Sequence, residues 1–175
     1  MNAQVVTAQA TGAISDNDGP PTVSIANASG VEGNAGTSSL LFTVTLSNGS
    51  DQTVTVNFAT GRGTALVANN DYTAATGTLT FLPGETAKTF GVTLLGDTVN
   101  EADETFTVTL SGPVNAGLGT AVATGTIEND DALPALSVNS PASVVEGNAI
   151  TFTVTLTPAS AQTFHIELAV VPESL

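Results

Sequence analysis

Five stretches between residues 40 and 110 place an apolar side chain at every second position and fill most of the gaps with Thr or Asn. They are Leu40/Phe42/Val44/Leu46, Val54/Val56/Phe58, Leu79/Phe81, Phe90/Val92/Leu94 and Phe106/Val108/Leu110. A period of two gives a strand one apolar and one polar face, whereas a helix would need a period of 3.6. Shorter strands of the same kind are expected at 22–26 and 120–127, which makes seven. Turn signals separate them, including Ser47-Asn48-Gly49-Ser50, Pro83-Gly84-Glu85 and Gly112-Pro113. Half-buried strands at this spacing predict an all-β, seven-stranded antiparallel sandwich of immunoglobulin-like form, with no long helix.

The chain also repeats itself. Ala10-Thr11-Gly12-x-Ile14 returns as Ala123-Thr124-Gly125-x-Ile127. Val31-Glu32-Gly33-Asn34 returns as Val145-Glu146-Gly147-Asn148, and Phe42-Thr43-Val44-Thr45-Leu46 as Phe152-Thr153-Val154-Thr155-Leu156. The offset, near 113 and then 110, is the size of a domain, so the pattern reads as a tandem array. Residues 1–18 are expected to end one repeat, 19–131 to form a complete one, and 132–175 to open a third. About three strands are expected from 132–168, their apolar faces uncovered by an opposing sheet.

Charge narrows the function. Sixteen acidic residues stand against two cations, Arg62 and Lys88, for a net charge of −14. Two cations cannot neutralise a phosphate backbone, which argues against nucleic acid and anionic membrane surfaces as partners. Disorder is excluded, because Leu, Ile, Val and Phe make up about 26% of the chain, above the ~20% floor for strongly charged chains. No apolar run is long enough to span a membrane, so direct insertion is not expected, and the first residues do not read as a secretory signal. Cysteine is absent, which removes disulfides and thiolate metal sites. The single histidine, His165, alternates with Phe164 and Ile166 and is expected on the outward face of a strand, beside Glu167. No nucleophile motif accompanies it. With no Trp and one Tyr, a glycosidase reading of the carboxylates lacks its sugar platforms, so no enzymatic activity is expected.

The acids fall in four segments. Glu32 follows the first strand, and Asp71 lies in the loop after the third. Asp97, Glu101, Asp103 and Glu104 occupy the loop before the sixth, and Asp130 and Asp131 follow the seventh. A Greek-key sandwich can bring all four segments to one end. There each like-charge pair at about 5 Å costs on the order of 0.8 kcal/mol in water, and several times that at lower dielectric. Ca²⁺ answers that repulsion with 6–8 oxygen ligands, whereas Mg²⁺ keeps its waters. For Asp97, Glu101 and Glu104 a solvated helical turn is the competing reading, but it leaves Glu32, Asp71 and Asp130 unexplained.

Five signatures occur in order across 20–131. They are Glu32-Gly33-Asn34; Gly63-Thr64-Ala65 with Asp71-Tyr72; Gly77-Thr78-Leu79-Thr80-Phe81-x-Pro83-Gly84-Glu85-Thr86; Gly96-Asp97-x-x-x-Glu101-x-Asp103-Glu104-x-Phe106; and Gly125-Thr126-Ile127-x-Asn129-Asp130-Asp131. In order and spacing they resemble the Calx-beta domain, whose members in the regulatory region of the sodium/calcium exchanger bind several Ca²⁺ ions at one end of a β-sandwich. Many bacterial exported proteins carry tandem copies. The resemblance implies Ca²⁺ as the bound ion and Glu32, Asp71, Asp97, Glu101, Glu104, Asp130 and Asp131 as its ligands. Asp103 is expected to hold backbone amides instead. Two positions depart from the family pattern, Gly96 and Asn129, each standing where an acid is usual, and imply fewer ions or weaker binding. Asp16, Asp18 and Glu146 would belong to sites of neighbouring repeats.

The function expected is therefore a non-enzymatic, calcium-stiffened repeat module of a larger exported or cell-surface protein, with neighbouring repeats as partners. Two alternatives stand beside it. One is an adhesion module that recognises a protein or glycan with calcium only structural; the other is a cytosolic calcium sensor.

Overall fold

The computed structural model describes residues 9–15, 17, 19–161, 163–167 and 169. Asp16 and Asp18 lie outside the described residues. Residues 19–131 contain β1 (Thr22–Ile25), β2 (Ala28–Val31), β3 (Gly36–Leu46), β4 (Val54–Gly61), β5 (Thr76–Phe81), β6 (Ala87–Gly96), β7 (Glu104–Val114), β8 (Gly117–Leu118) and β9 (Val122–Glu128). One sheet has the order β6-β3-β1-β8 and the other β2-β9-β7-β4-β5. The core between them is built from the alternating positions: Leu40, Phe42, Val44 and Leu46 meet Val54, Val56, Phe81, Val92, Leu94, Phe106, Val108 and Leu110, all buried. Phe58, Leu79 and Phe90 are only partly buried, at the margin of that core.

The seven expected strands include β1, at 22–26, but neither β2 nor β8. In the structure the chain leaves the first sheet after Ile25 and crosses to the second, where it forms β2, while the two-residue β8 is an addition with too little alternation to be read in advance. Asn27 marks the crossing, its side-chain oxygen accepting the Thr124 N–H at 2.8 Å. The crossing also places two parallel pairs in an otherwise antiparallel sandwich, β2 with β9 and β1 with β8. Because β2 and β9 run the same way, with Val31 opposite Glu128, the segments after both strands emerge at the same end. Glu32 leaves β2 there, and Asp130-Asp131 leave β9 beside it.

Beyond the sandwich, β10 (Ala135–Val138) and β11 (Val154–Thr157) form an antiparallel ribbon. Its register matches that of β1 and β3: Leu136 and Val138 face Leu156 and Val154 as Val23 and Ile25 face Leu46 and Val44. The difference is cover, since Val23 and Val44 are fully buried while Val138 is 51% exposed. Two strands, not three, are found among the described residues of this segment. Residues 142–145, the sequence counterpart of β2, form no strand, because β2 is held by β9 and nothing described plays that part for them. Residues 163–167 also form no strand, so His165 is exposed on irregular chain and not on a strand face.

Candidate metal centre

Four segments meet at the end of the sandwich where β2 and β9 finish, and each is fixed by its own local chemistry. Asp71 closes a tight turn around the 3-10 segment Val67–Asn69. Its Oδ2 accepts the Leu66 N–H at 2.6 Å, and Asn70 before it takes a left-handed backbone, φ 67°, that Asn tolerates. Tyr72 anchors the turn to the core. Its ring stacks on Phe106 with centroids 4.5 Å apart, and its hydroxyl donates to the Gly61 carbonyl.

The loop 97–103 carries no helical turn, so the spacing of Asp97, Glu101 and Glu104 is not that of a solvated helix face. Asp97 accepts the Val99 N–H through Oδ1 at 2.6 Å. Asp103 accepts the backbone N–H of Asn129 at 3.1 Å, which is the amide-holding part expected of it. Asn129 in turn accepts the Glu101 N–H at 3.0 Å. An acid at 129 could take that bond, but it would add a charge beside Glu101, which explains why Asn suits this position. Asp130 accepts from the Gly33 N–H and from the Asn34 side chain, tying the two parallel strand ends together. Gly96 has a steric reason. A Cβ there would overlap the Gly33 carbonyl, so no aspartate fits without moving the Glu32 segment.

The convergence is closest for Asp71, Glu101 and Glu104, which each offer a carboxylate oxygen within 4.8 Å of the others. Glu32 is buried and feels Glu101, Asp97, Asp131 and Asp130. Asp131 is 8% exposed, and its Oδ2 is buried with no hydrogen-bond partner. A buried acceptor left unpaired is unfavourable, the more so when charged. Neither cation compensates: Lys88 pairs with Glu85 at 2.7 Å in the turn between β5 and β6, and Arg62 forms no ion pair among the described residues. Hard oxygen donors, closely set and short of positive charge, fit Ca²⁺ in chemistry.

Crowding of this kind sets the electrostatics. Burial, then the charges of Glu101, Asp97, Asp131 and Asp130, push the Glu32 carboxyl up to about 7. Burial, a hydrogen bond with Asp71 and the nearby charges of Asp71, Glu101 and Glu32 push Glu104 to about 7 as well. Glu101 and Asp131 are also raised, first by burial. An acid whose folded-state pKa is raised binds its proton more tightly when folded, so ionisation weakens the fold. In chelator the melting temperature is therefore expected to fall between pH 5 and pH 8, mostly below and around 7. A midpoint that climbs across that window would contradict the geometry.

The sequence profile of the Calx-beta domain matches residues 8–131. The chain belongs to the Calx-beta domain family. Among solved structures this Calx-beta chain is similar to CBD12 from CALX1.2, at 27% identity and a TM-score of 0.55, over 63% of this chain and 44% of that one. It is also similar to the calcium binding domain CBD12 of CALX1.1, at 25% identity and a TM-score of 0.56, over 68% of this chain and 50% of that one. The apo-form Calx CBD1 domain gives 26% identity and a TM-score of 0.51, covering 63% of this chain and 98% of that one. The chain thus spans about half the length of the two CBD12 structures. No curated protein sequence matches it.

The structure brings all seven sequence-derived candidates of this Calx-beta domain to one end, with the carboxylates of Asp71, Glu101 and Glu104 the most closely set. The sequence reading missed Asn100, which is 4% exposed and donates its side-chain amide to the Asp131 carbonyl at 3.0 Å. Its only sequence signal is an amide side chain in the middle of an acidic loop. The reading also missed Thr64, whose Oγ1 accepts the Thr105 N–H at 2.8 Å and so links the Asp71 loop to the start of β7.

Proposed function

We propose that this chain is a non-enzymatic calcium-binding module of a larger exported or cell-surface protein, with the ion stiffening the domain and its junction to the next repeat. The observation that carries the reading is the meeting of the Asp71, Glu101 and Glu104 carboxylates within 4.8 Å, beside the unpaired buried oxygen of Asp131. Glu32, Asp97 and Asp130 complete the ligand set. Similarity to the calcium binding domain CBD12 of CALX1.1 supports the choice of ion. The matching register of β1/β3 and β10/β11 supports the division into a complete repeat at 19–131 and the opening of another at 132–175, with 1–18 as the end of a preceding one. Asp130 and Asp131 lie one residue before Leu133-Pro134, so an ion held there would brace the junction.

A melting scan tests this. An ion that binds only the folded state stabilises it by about 2.7 kcal/mol at 100 times Kd, which for a domain of this size raises the midpoint by ~10 °C. Equal midpoints in calcium and in chelator would refute the proposal. The same scan with magnesium is expected to show a much smaller rise.

A further inference from the structure

The 97–103 loop, which carries the candidate ligands Asp97 and Glu101 and leads into Glu104, is gripped at its centre from two sides. Inside the sandwich, the Asn100 side chain donates to the carbonyl of Asp131 at 3.0 Å. Outside it, the backbone of Asn100 meets the segment that comes after β11. The Asn100 N–H donates to the Ala159 carbonyl at 3.3 Å, and the Asn100 carbonyl accepts from the Ala161 N–H at 3.2 Å and from the Ser160 hydroxyl at 2.9 Å. Asn100 and Ser160 thereby form a one-residue parallel bridge between the 97–103 loop and a segment outside the complete repeat. Asn100 directly precedes Glu101, and its side chain holds the backbone of Asp131.

We infer that Asn100 is a positioning residue, and that residues 159–161 act through it to strengthen cation binding at the carboxylate centre. The inference rests on the calcium reading above and adds to it a named clamp and a direction of effect. A free loop must be ordered when its carboxylates close on an ion, and fixing each residue costs conformational entropy. A loop already held by three hydrogen bonds from 159–161 has met part of that cost beforehand, so binding is tighter. Linkage makes the effect reciprocal: calcium must favour the docked 159–161 segment by the factor by which docking favours calcium.

The test uses the full chain, with calcium chloride titrated by calorimetry. Ala161→Pro removes the N–H donor to Asn100 and is expected to weaken binding about 10-fold, and Ser160→Ala about 5-fold. Ser160→Thr keeps the hydroxyl and is expected to retain wild-type affinity, and Asn100→Ala to weaken binding at least as much as Ala161→Pro. In chelator Ala161→Pro and Ser160→Ala are expected to lower the melting midpoint slightly, through loss of the bonds themselves, and the rise that calcium gives is expected to shrink as well. The reciprocal readout is hydrogen exchange of the Ala161 amide, which calcium is expected to slow by a comparable factor in the wild-type chain and not in Asn100→Ala. Calcium binding that is unchanged in Ala161→Pro, with Ala161 exchange indifferent to calcium, overturns this inference and leaves the calcium reading standing. A wild-type chain that binds no calcium overturns both.

Discussion

Phe106→Ala is expected to lower stability by about 3–5 kcal/mol, which corresponds to a midpoint ~15 °C lower, and to weaken calcium binding in whatever remains folded. The ring is fully buried, packs edge-on to Phe42 with centroids 5.9 Å apart, and stacks on Tyr72 at 4.5 Å. Removing it opens a cavity between the sheets and takes away the surface on which the Asp71-Tyr72 turn rests. The first loss is one of stability and the second one of ligand placement. Leu46→Ala separates them. Leu46 is buried at the end of β3 remote from the acidic loops, so its loss is expected to cost about 2–5 kcal/mol without changing calcium affinity measured below the midpoint. Equal affinity in both variants would mean that Tyr72 does not hold Asp71 in place.

Glu104→Gln is expected to act in opposite directions with and without the ion. Calcium affinity should fall about 100-fold, near 2.7 kcal/mol, because a charged ligand becomes a neutral one in a site governed by charge count. In chelator the same variant should be more stable than wild type at pH 7.5. Its carboxyl is pushed up to about 7 by burial and by Asp71, so its ionised form opposes folding above that pH, and Gln still reaches Asp71 with an amide. Asp97→Asn should also weaken calcium binding. Glu85→Gln should not, since Glu85 accepts the Leu82 N–H at 2.7 Å and pairs with Lys88 in the β5–β6 turn, away from the centre. Losses of equal size at 85, 97 and 104 would indicate diffuse attraction of counterions and not a site.

Much of this was legible in the residues. Every strand with three or more alternating apolar positions formed where the pattern put it, since one apolar face is buried in only one register. The four acidic segments were legible too, because strand parity dictates which loops share an end. The crossing of the first strand was not, as Ala26-Asn27 carries no Gly or Pro to mark a break and the strand is too short for its periodicity to change visibly. The third strand expected within 132–168 is not found among the described residues for a related reason: the alternation specifies a face, but pairing needs a neighbour.

The geometry adds an order among the carboxylates. By sequence the seven candidates are equivalent acids on loops. In the structure Asp71 is fixed by a backbone amide and an aromatic stack, Asp130 is spent partly on joining Gly33 and Asn34, and Asp131 holds an oxygen that nothing described satisfies. Those differences come from long-range contacts that no local spacing encodes.

Taken alone, the residues specify a β-sandwich with its negative charge gathered at one end, because a period of two and the parity of loops are local properties of the chain. Which carboxylates meet, why Gly96 must lack a side chain, and the tie from Asn100 to residues 159–161 emerge only when distant segments pack. They depend on the first strand changing sheets, on a backbone oxygen lying where a Cβ would stand, and on a bridge spanning 60 residues of chain.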